Sequence, residues 1–61
     1  MHVIAKNNRR IEIKPSMGAY GAFWEDTGKR VYPNRLPLRL DRNDAICNLL
    51  GFAKEKKWQV W

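Results

Sequence analysis

The sequence contains few of the residues that usually cross-link a very small protein or carry out catalysis. A single cysteine excludes an internal disulfide, and one cysteine with one histidine excludes the usual four-ligand structural zinc site. There is no phosphate-binding loop, nucleotide fingerprint or metal-binding motif, and the six carboxylates form no pair of the kind used in acid–base catalysis. We therefore expect a protein that is not an enzyme and that uses no metal or other cofactor.

Long apolar runs are also missing. No stretch approaches the roughly 18 apolar residues that a membrane-spanning helix needs. The apolar run within residues 1–6 is too short for a signal peptide. A free thiol is typical of a reducing compartment. These features predict a cytoplasmic protein with no membrane partner.

Acidic residues are half as numerous as basic ones. Twelve Lys and Arg against six Asp and Glu give a formal net charge of +6 and a pI near 10.0. Such a surplus on 61 residues favours a polyanionic partner, either nucleic acid or an acidic protein surface. Hydrophobic residues at 44% are typical of a folded chain, so residues 1–61 are predicted to form a single small basic domain. Because so short a chain buries only about 60% of its unfolded surface, a partner or a homo-oligomer is expected to add stability.

The N-terminal part of the sequence has the pattern of a β-hairpin. Residues 10–14 alternate polar and apolar side chains, which predicts a strand with one buried face. Residues 2–6 are a second plausible strand, and two asparagines between the strands suit a tight turn. A two-residue turn would pair Ile4 with Ile11, whereas a three-residue turn that includes Arg9 would pair Ala5 with Ile11 and turn Val3 inward.

A second hairpin is predicted after a loop at residues 15–18. An aromatic-rich strand over residues 19–25 turns through Asp26, Thr27 and Gly28 into a strand over residues 29–32. With Gly28 closing a three-residue turn, one face would carry Phe23 and Val31. The other face would carry the residues Tyr20, Trp24, Arg30 and Tyr32. Either face could pack on the core, so both alternatives stay open here.

The C-terminal part of the sequence predicts one helix. Asp41 is a good N-cap, and apolar residues at helical spacing form one stripe over residues 42–55. Prolines in residues 33–40 exclude a helix there, and residues 58–61 resemble a short terminal strand. The predicted fold is α+β: a small, mostly antiparallel sheet of four or five short strands, with the helix packed on one face.

The hairpin through Asp26–Lys29, followed by a basic stretch and a helix with Asp44-Ala45-Ile46, is similar to the arm-type DNA-binding domains of phage-type integrases. In that family a three-stranded sheet enters the major groove and a helix backs it. The resemblance covers residues 19–55 and implies base and phosphate contacts from the sheet face. In its size and its lack of enzyme motifs, the chain also looks like the small accessory proteins that phages encode.

The leading functional expectation is a nucleic-acid-binding protein that uses a basic and aromatic sheet face. Aromatic rings stack on bases while neighbouring cations neutralise phosphates of DNA or RNA. The alternative is a protein–protein interaction module, such as a phage-type inhibitor or regulator of a host protein, that uses the same face; a homodimer formed through this face is one form of this alternative. The candidate site residues are Arg10, Lys14, Tyr20, Trp24, Lys29, Arg30, Tyr32, Arg35 and Arg39.

Two further basic segments can be interpreted in two ways. Arg35, Arg39 and Arg42 could bind backbone phosphates beside the sheet, or they could keep a leucine-rich arm soluble. The lysines of residues 54–57, followed by Trp58, could form a phosphate-binding helix end with an aromatic stack. They could equally compensate the negative end of the helix dipole.

Overall fold

The computed structural model describes residues 3–60, and it shows the predicted α+β fold. A four-stranded antiparallel sheet has the order β3-β2-β1-β4, and one helix packs on it. The elements are β1 (Val3–Ile4), β2 (Arg10–Ser16), β3 (Ala19–Trp24), α1 (Arg42–Lys56) and β4 (Gln59–Val60). The predicted helix and terminal strand are therefore confirmed. Residues 1, 2 and 61 lie outside the described residues; residue 2 belongs to the predicted first strand and residue 61 to the predicted last strand.

The first hairpin has a register that differs from both predicted alternatives. Val3 pairs with Ile11 and Ile4 with Arg10, because the turn between β1 and β2 consists of Lys6–Asn8. Both asparagines in this turn have positive φ, as their residue type favours. The turn starts one residue earlier than expected, yet Val3 points into the core, as the three-residue alternative predicted.

The connection between β2 and β3 is shorter than the loop predicted at residues 15–18. The strand continues through Pro15, and only Met17 and Gly18, both with positive φ, form the turn. Pro15 lies opposite Tyr20, whose backbone N–H and C=O both bond Arg39 rather than β2. Proline is tolerated in β2 because that position needs no donor toward β3, and β1 pairs only with the start of β2.

The predicted strand at residues 29–32 is wrong. This segment makes only an isolated bridge between Phe23 and Arg30, and the turn before it contains four residues, 25–28, instead of three. Val31 consequently donates its backbone N–H to Ala22 and lies fully buried in the core, while Phe23 and Arg30 share the opposite face. Because the turn has one residue more than expected, Phe23 and Val31 lie on opposite faces instead of sharing one.

The helix is held at both ends and by its apolar stripe. The Asp41 carboxylate accepts the backbone N–H of Asn43 at 2.7 Å, and Lys57 ends the helix in a left-handed conformation that releases Trp58 toward the sheet. The stripe consists of buried residues at helical spacing: Ala45, Leu49, Phe52 and Ala53. Of these, Leu49, Phe52 and Ala53 pack against the sheet face that carries Val3, Ile11 and Ala22, together with Val31 and Leu36 from the connecting arm.

The arm between β3 and α1, residues 25–41, covers the outer edge of β3. Tyr20 pairs with Arg39 and Phe23 with Arg30 along this edge. Within residues 3–60, no helix is both long and apolar enough to cross a membrane.

Candidate functional site

The predicted site residues do not share one face. The β2–β3 register pairs Ile11 with Trp24 and Pro15 with Tyr20, so both aromatic rings belong to the face that carries the helix. Arg10 and Lys14 alternate with Ile11 and Ile13 and point to the other side. The expectation of one face carrying Tyr20, Trp24, Arg30 and Tyr32 together is therefore wrong, because it assumed a three-residue turn after Glu25.

The opposite surface, which we call the open sheet face, consists of Arg10, Glu12, Lys14, Phe23 and Arg30. Two of its three cations, Lys14 and Arg30, have partners within the fold, whereas no carboxylate among residues 3–60 lies within salt-bridge distance of Arg10. Lys14 Nζ lies 3.4 Å from Glu12 Oε1 and 5.2 Å from the centre of the Phe23 ring. Arg30 Nη2 donates to the Leu36 carbonyl at 2.7 Å, which ties the arm to β3.

The remaining predicted residues are dispersed around the molecule. Lys29 is exposed after the four-residue turn, and Arg39 is exposed on the arm. Arg35 binds the Glu55 carboxylate at 2.8 Å and lies over the Phe52 ring. Tyr32, which is 46% exposed, lies instead among helix-side aromatic residues.

Four aromatic rings meet where the end of α1 approaches the first turn. Trp58 lies 6.1 Å from both Trp24 and Tyr32, centroid to centroid, and contacts Phe52 edge-on at 5.4 Å. Tyr32 lies 5.0 Å from Phe52. None of these ring pairs stacks face to face. The interplanar angles are 59° for Trp24–Trp58, and 54° for both Tyr32–Phe52 and Tyr32–Trp58.

Arg9 is held over one of these rings. Its guanidinium carbon is 4.0 Å from the Trp24 centroid, and its Nε and Nη2 donate to the two Asp26 oxygens at 3.0 and 3.1 Å. The β2–β3 register explains this contact, because it continues from Ile11 opposite Trp24 to Arg9 opposite Asp26. The hydrogen bonds from Arg9 lower the pKa of the Asp26 carboxyl below its usual value, and the same bonds raise the pKa of Arg9.

Two adjoining clefts open around Trp58. The first, about 270 Å³, includes the residues Lys6, Arg9, Trp24, Tyr32, Lys56 and Trp58, and we call it the aromatic–basic cleft. The second, about 520 Å³, shares Lys6, Lys56 and Trp58 with it and adds Lys57 and Gln59. Among residues 3–60, none of the residues lining either cleft is acidic.

The lysines of these clefts are not paired with a carboxylate, whereas Lys14 of the open sheet face is. Among the described residues, no carboxylate lies within salt-bridge distance of Lys6, Lys56 or Lys57. Lys56 Nζ lies 5.6 Å from the Tyr32 ring centre. The cations therefore border the aromatic rings and remain available to an anionic ligand.

Comparisons with protein-family models, with curated proteins and with solved structures find no match for this chain. Chemically, the cleft can stack planar rings and neutralise anions. Within residues 3–60 there is no cluster of three or more metal-ligating side chains.

The candidate site residues predicted from the sequence do not include Lys6 and Arg9. The helix-end lysines and Trp58 were predicted only as one of two interpretations, a phosphate-binding helix end with an aromatic stack. A signal for Arg9 was present, because a turn at Met17–Gly18 would already place Arg9 opposite Asp26. The approach of Lys6 to the helix end had no comparable local signal, since it depends on β4 pairing with β1.

Proposed function

We propose that this protein is a non-enzymatic nucleic-acid-binding protein and that the aromatic–basic cleft is its binding site. The observation that carries the proposal is the combination of aromatic rings and unpaired lysines in two adjoining clefts with no acidic lining residue among residues 3–60. Phosphates require accessible cations, and bases require accessible aromatic surface. This cleft offers both in one place.

The charge of the whole chain supports the same proposal. A net charge of +6 attracts a polyanion from a distance, and the cleft provides the local contacts. The open sheet face, which the sequence favoured, is less suitable. There Lys14 is paired with Glu12 and Arg30 is bound to the Leu36 carbonyl, which leaves Arg10 as the one cation of this face with no partner of this kind among residues 3–60.

The test is fluorescence anisotropy with labelled single-stranded DNA, duplex DNA and RNA, each of about 20 nucleotides per strand, at about 50 and 200 mM salt. We expect binding that weakens steeply with salt. The double variant Lys6→Gln/Lys57→Gln should reduce the slope of log K against log salt by about 1.4 for single strands, because each lost phosphate contact removes about 0.7.

A matched control removes the same charge at the other end of the helix. The double variant Arg39→Gln/Arg42→Gln should leave the slope close to that of the unmodified protein, since the 15-residue helix is about 22 Å long. An equal loss of slope in both variants would reject the cleft as the site.

The absence of salt-dependent binding to all three nucleic acids would reject the proposed function itself. A light-scattering mass of two or more chains in that case would favour the alternative, in which the aromatic surface contacts protein.

A further inference from the structure

We infer that the cleft selects unpaired nucleic acid, with one exposed base stacking on Trp58. This inference rests on the proposed function and names the ligand class: a single strand, or an unpaired base within a longer strand. It depends on three observations: the position of Trp58, the occupancy of the neighbouring rings, and the location of the lysines.

Trp58 lies at the junction of the two clefts. Both clefts are lined by Trp58, and they share the flanking Lys6, Asn7 and Lys56. Together they form one groove that passes between the Lys6–Asn8 turn and the C-terminal end of α1. A strand in this groove would have to pass the Trp58 ring.

Trp58 is also the aromatic ring of the cluster that no cation covers within residues 3–60. Arg9 lies over Trp24, Lys56 lies over Tyr32, and both Arg35 and Lys56 lie over the buried Phe52. The tilted neighbours at 54–82° leave no face-to-face stack on Trp58. A base that enters the groove would therefore meet the part of the Trp58 ring that lines both clefts.

The recessed position of Trp58 distinguishes an unpaired base from a duplex. The ring is half-buried and packs against the core, so a ligand must enter the groove to reach it. Bases in a duplex are stacked and paired, and they present only their edges in the grooves. An unpaired base can insert its flat face while Lys6 and Lys57 contact the adjacent phosphates.

The test compares a single strand with a hairpin duplex of equal charge, using the full chain at fixed salt. We expect the single strand to bind at least about tenfold more tightly. The variant Trp58→Leu should lower single-strand affinity by about 5- to 150-fold, the loss expected for one base–aromatic stack, and should leave duplex affinity unchanged. The matched control is Phe23→Leu, which removes an aromatic ring beside a lysine on the open sheet face and should not alter binding.

A ligand modification tests the inference without altering the protein. Replacing the bases of the single strand with abasic sites should reduce affinity by the same factor as Trp58→Leu, and should have no further effect on that variant. This arm gives a result even if Trp58→Leu does not fold. Equal affinity for the abasic strand, or for the duplex, would overturn the inference while the proposed function survives. Loss of all nucleic-acid binding in the unmodified protein would remove both.

Discussion

The open sheet face and the aromatic–basic cleft are built from similar side chains, yet they differ in what their cations can do. On the open sheet face, Lys14 is paired with Glu12 and Arg30 is bound to a backbone carbonyl. In the aromatic–basic cleft, Arg9 is paired with Asp26, but Lys6 and Lys56 have no carboxylate partner among residues 3–60. Composition therefore does not identify a binding surface. The deciding property is whether the charges are already satisfied within the fold.

The two faces of the sheet also differ in packing. Val3, Ile11 and Ala22 are buried beneath the helix, whereas Phe23 remains half-buried on the open side. The apolar face therefore contributes most of the stability, and the cleft lies at the rim of that same core.

The largest expected loss of stability comes from a substitution on the sheet face that the helix covers. Leu49 is fully buried, and Leu49→Ala should cost about 2–5 kcal/mol through lost burial and a residual cavity. Phe23→Leu on the open face should cost less than about 1.5 kcal/mol, because it nearly conserves apolar volume. Urea denaturation followed by tryptophan fluorescence measures both. Equal losses would show that the two faces contribute alike.

A smaller loss of stability is expected from a substitution in β3 where the arm approaches the open sheet face. A Cβ atom added at Gly21 would lie 2.7 Å from Leu38 Cδ2, so Gly21→Ala should cost about 1–3 kcal/mol by overpacking. The midpoint of urea denaturation measures this loss. An unchanged midpoint would mean that the Leu38 side chain moves aside without cost.

The same substitution should have the opposite sign on the outer surface of the helix. A Cβ atom at Gly51 meets no other atom within 4 Å, and alanine is favoured over glycine in a helix interior. Gly51→Ala should therefore stabilise the protein by about 0.5–1 kcal/mol and raise the Tm by several degrees, about 4–8 °C per kcal/mol. Calorimetry tests this expectation, and a lower Tm would contradict it.

The smallest expected effect on stability concerns Asp26, the carboxylate that binds Arg9 of the aromatic–basic cleft. The pKa of Asp26 is lowered in the folded protein by the hydrogen bonds from Arg9, so the ionised pair stabilises the fold above the unfolded pKa of about 3.9. This contribution is lost as the pH falls through the lower folded value. The Tm difference between the unmodified protein and Asp26→Asn should therefore be present at pH 7 and disappear in strong acid.

The same variant sharpens the electrostatic comparison. Asp26→Asn frees Arg9 from its counter-ion beside Trp24, so single-strand binding should tighten and its salt slope should steepen by about 0.7, one phosphate contact. The control is Glu12→Gln, which frees Lys14 on the open sheet face and should alter the slope less. Equal steepening in both variants would contradict the assignment of the site to the cleft.

Much of the fold was predictable because its signals are local. The alternation in residues 10–14 identified part of β2, and Asp41 with the apolar stripe identified α1 to within one residue. The face assignments were not predictable. They depended on whether each turn had two, three or four residues, and several lengths were compatible with the same glycines and asparagines.

The candidate site was predictable only in its chemistry. The excess of Lys and Arg and the presence of tryptophan indicated a basic aromatic surface, and Trp24 and Tyr32 belong to the cleft now proposed. The absence of enzymatic activity, the cytoplasmic location and the contacts of each named residue with nucleic acid stay predictions.

By itself, the sequence determined the helix, the apolar alternation of the strands and the positive charge, since these follow from residue spacing and composition. Tertiary structure alone decided which side chains meet. Each turn length sets a strand register, and a shift of one residue reverses every side chain on that strand. Likewise, only the pairing of β4 with β1 brings Lys57 and Trp58 beside Lys6, because contacts between distant parts of a chain leave no local pattern.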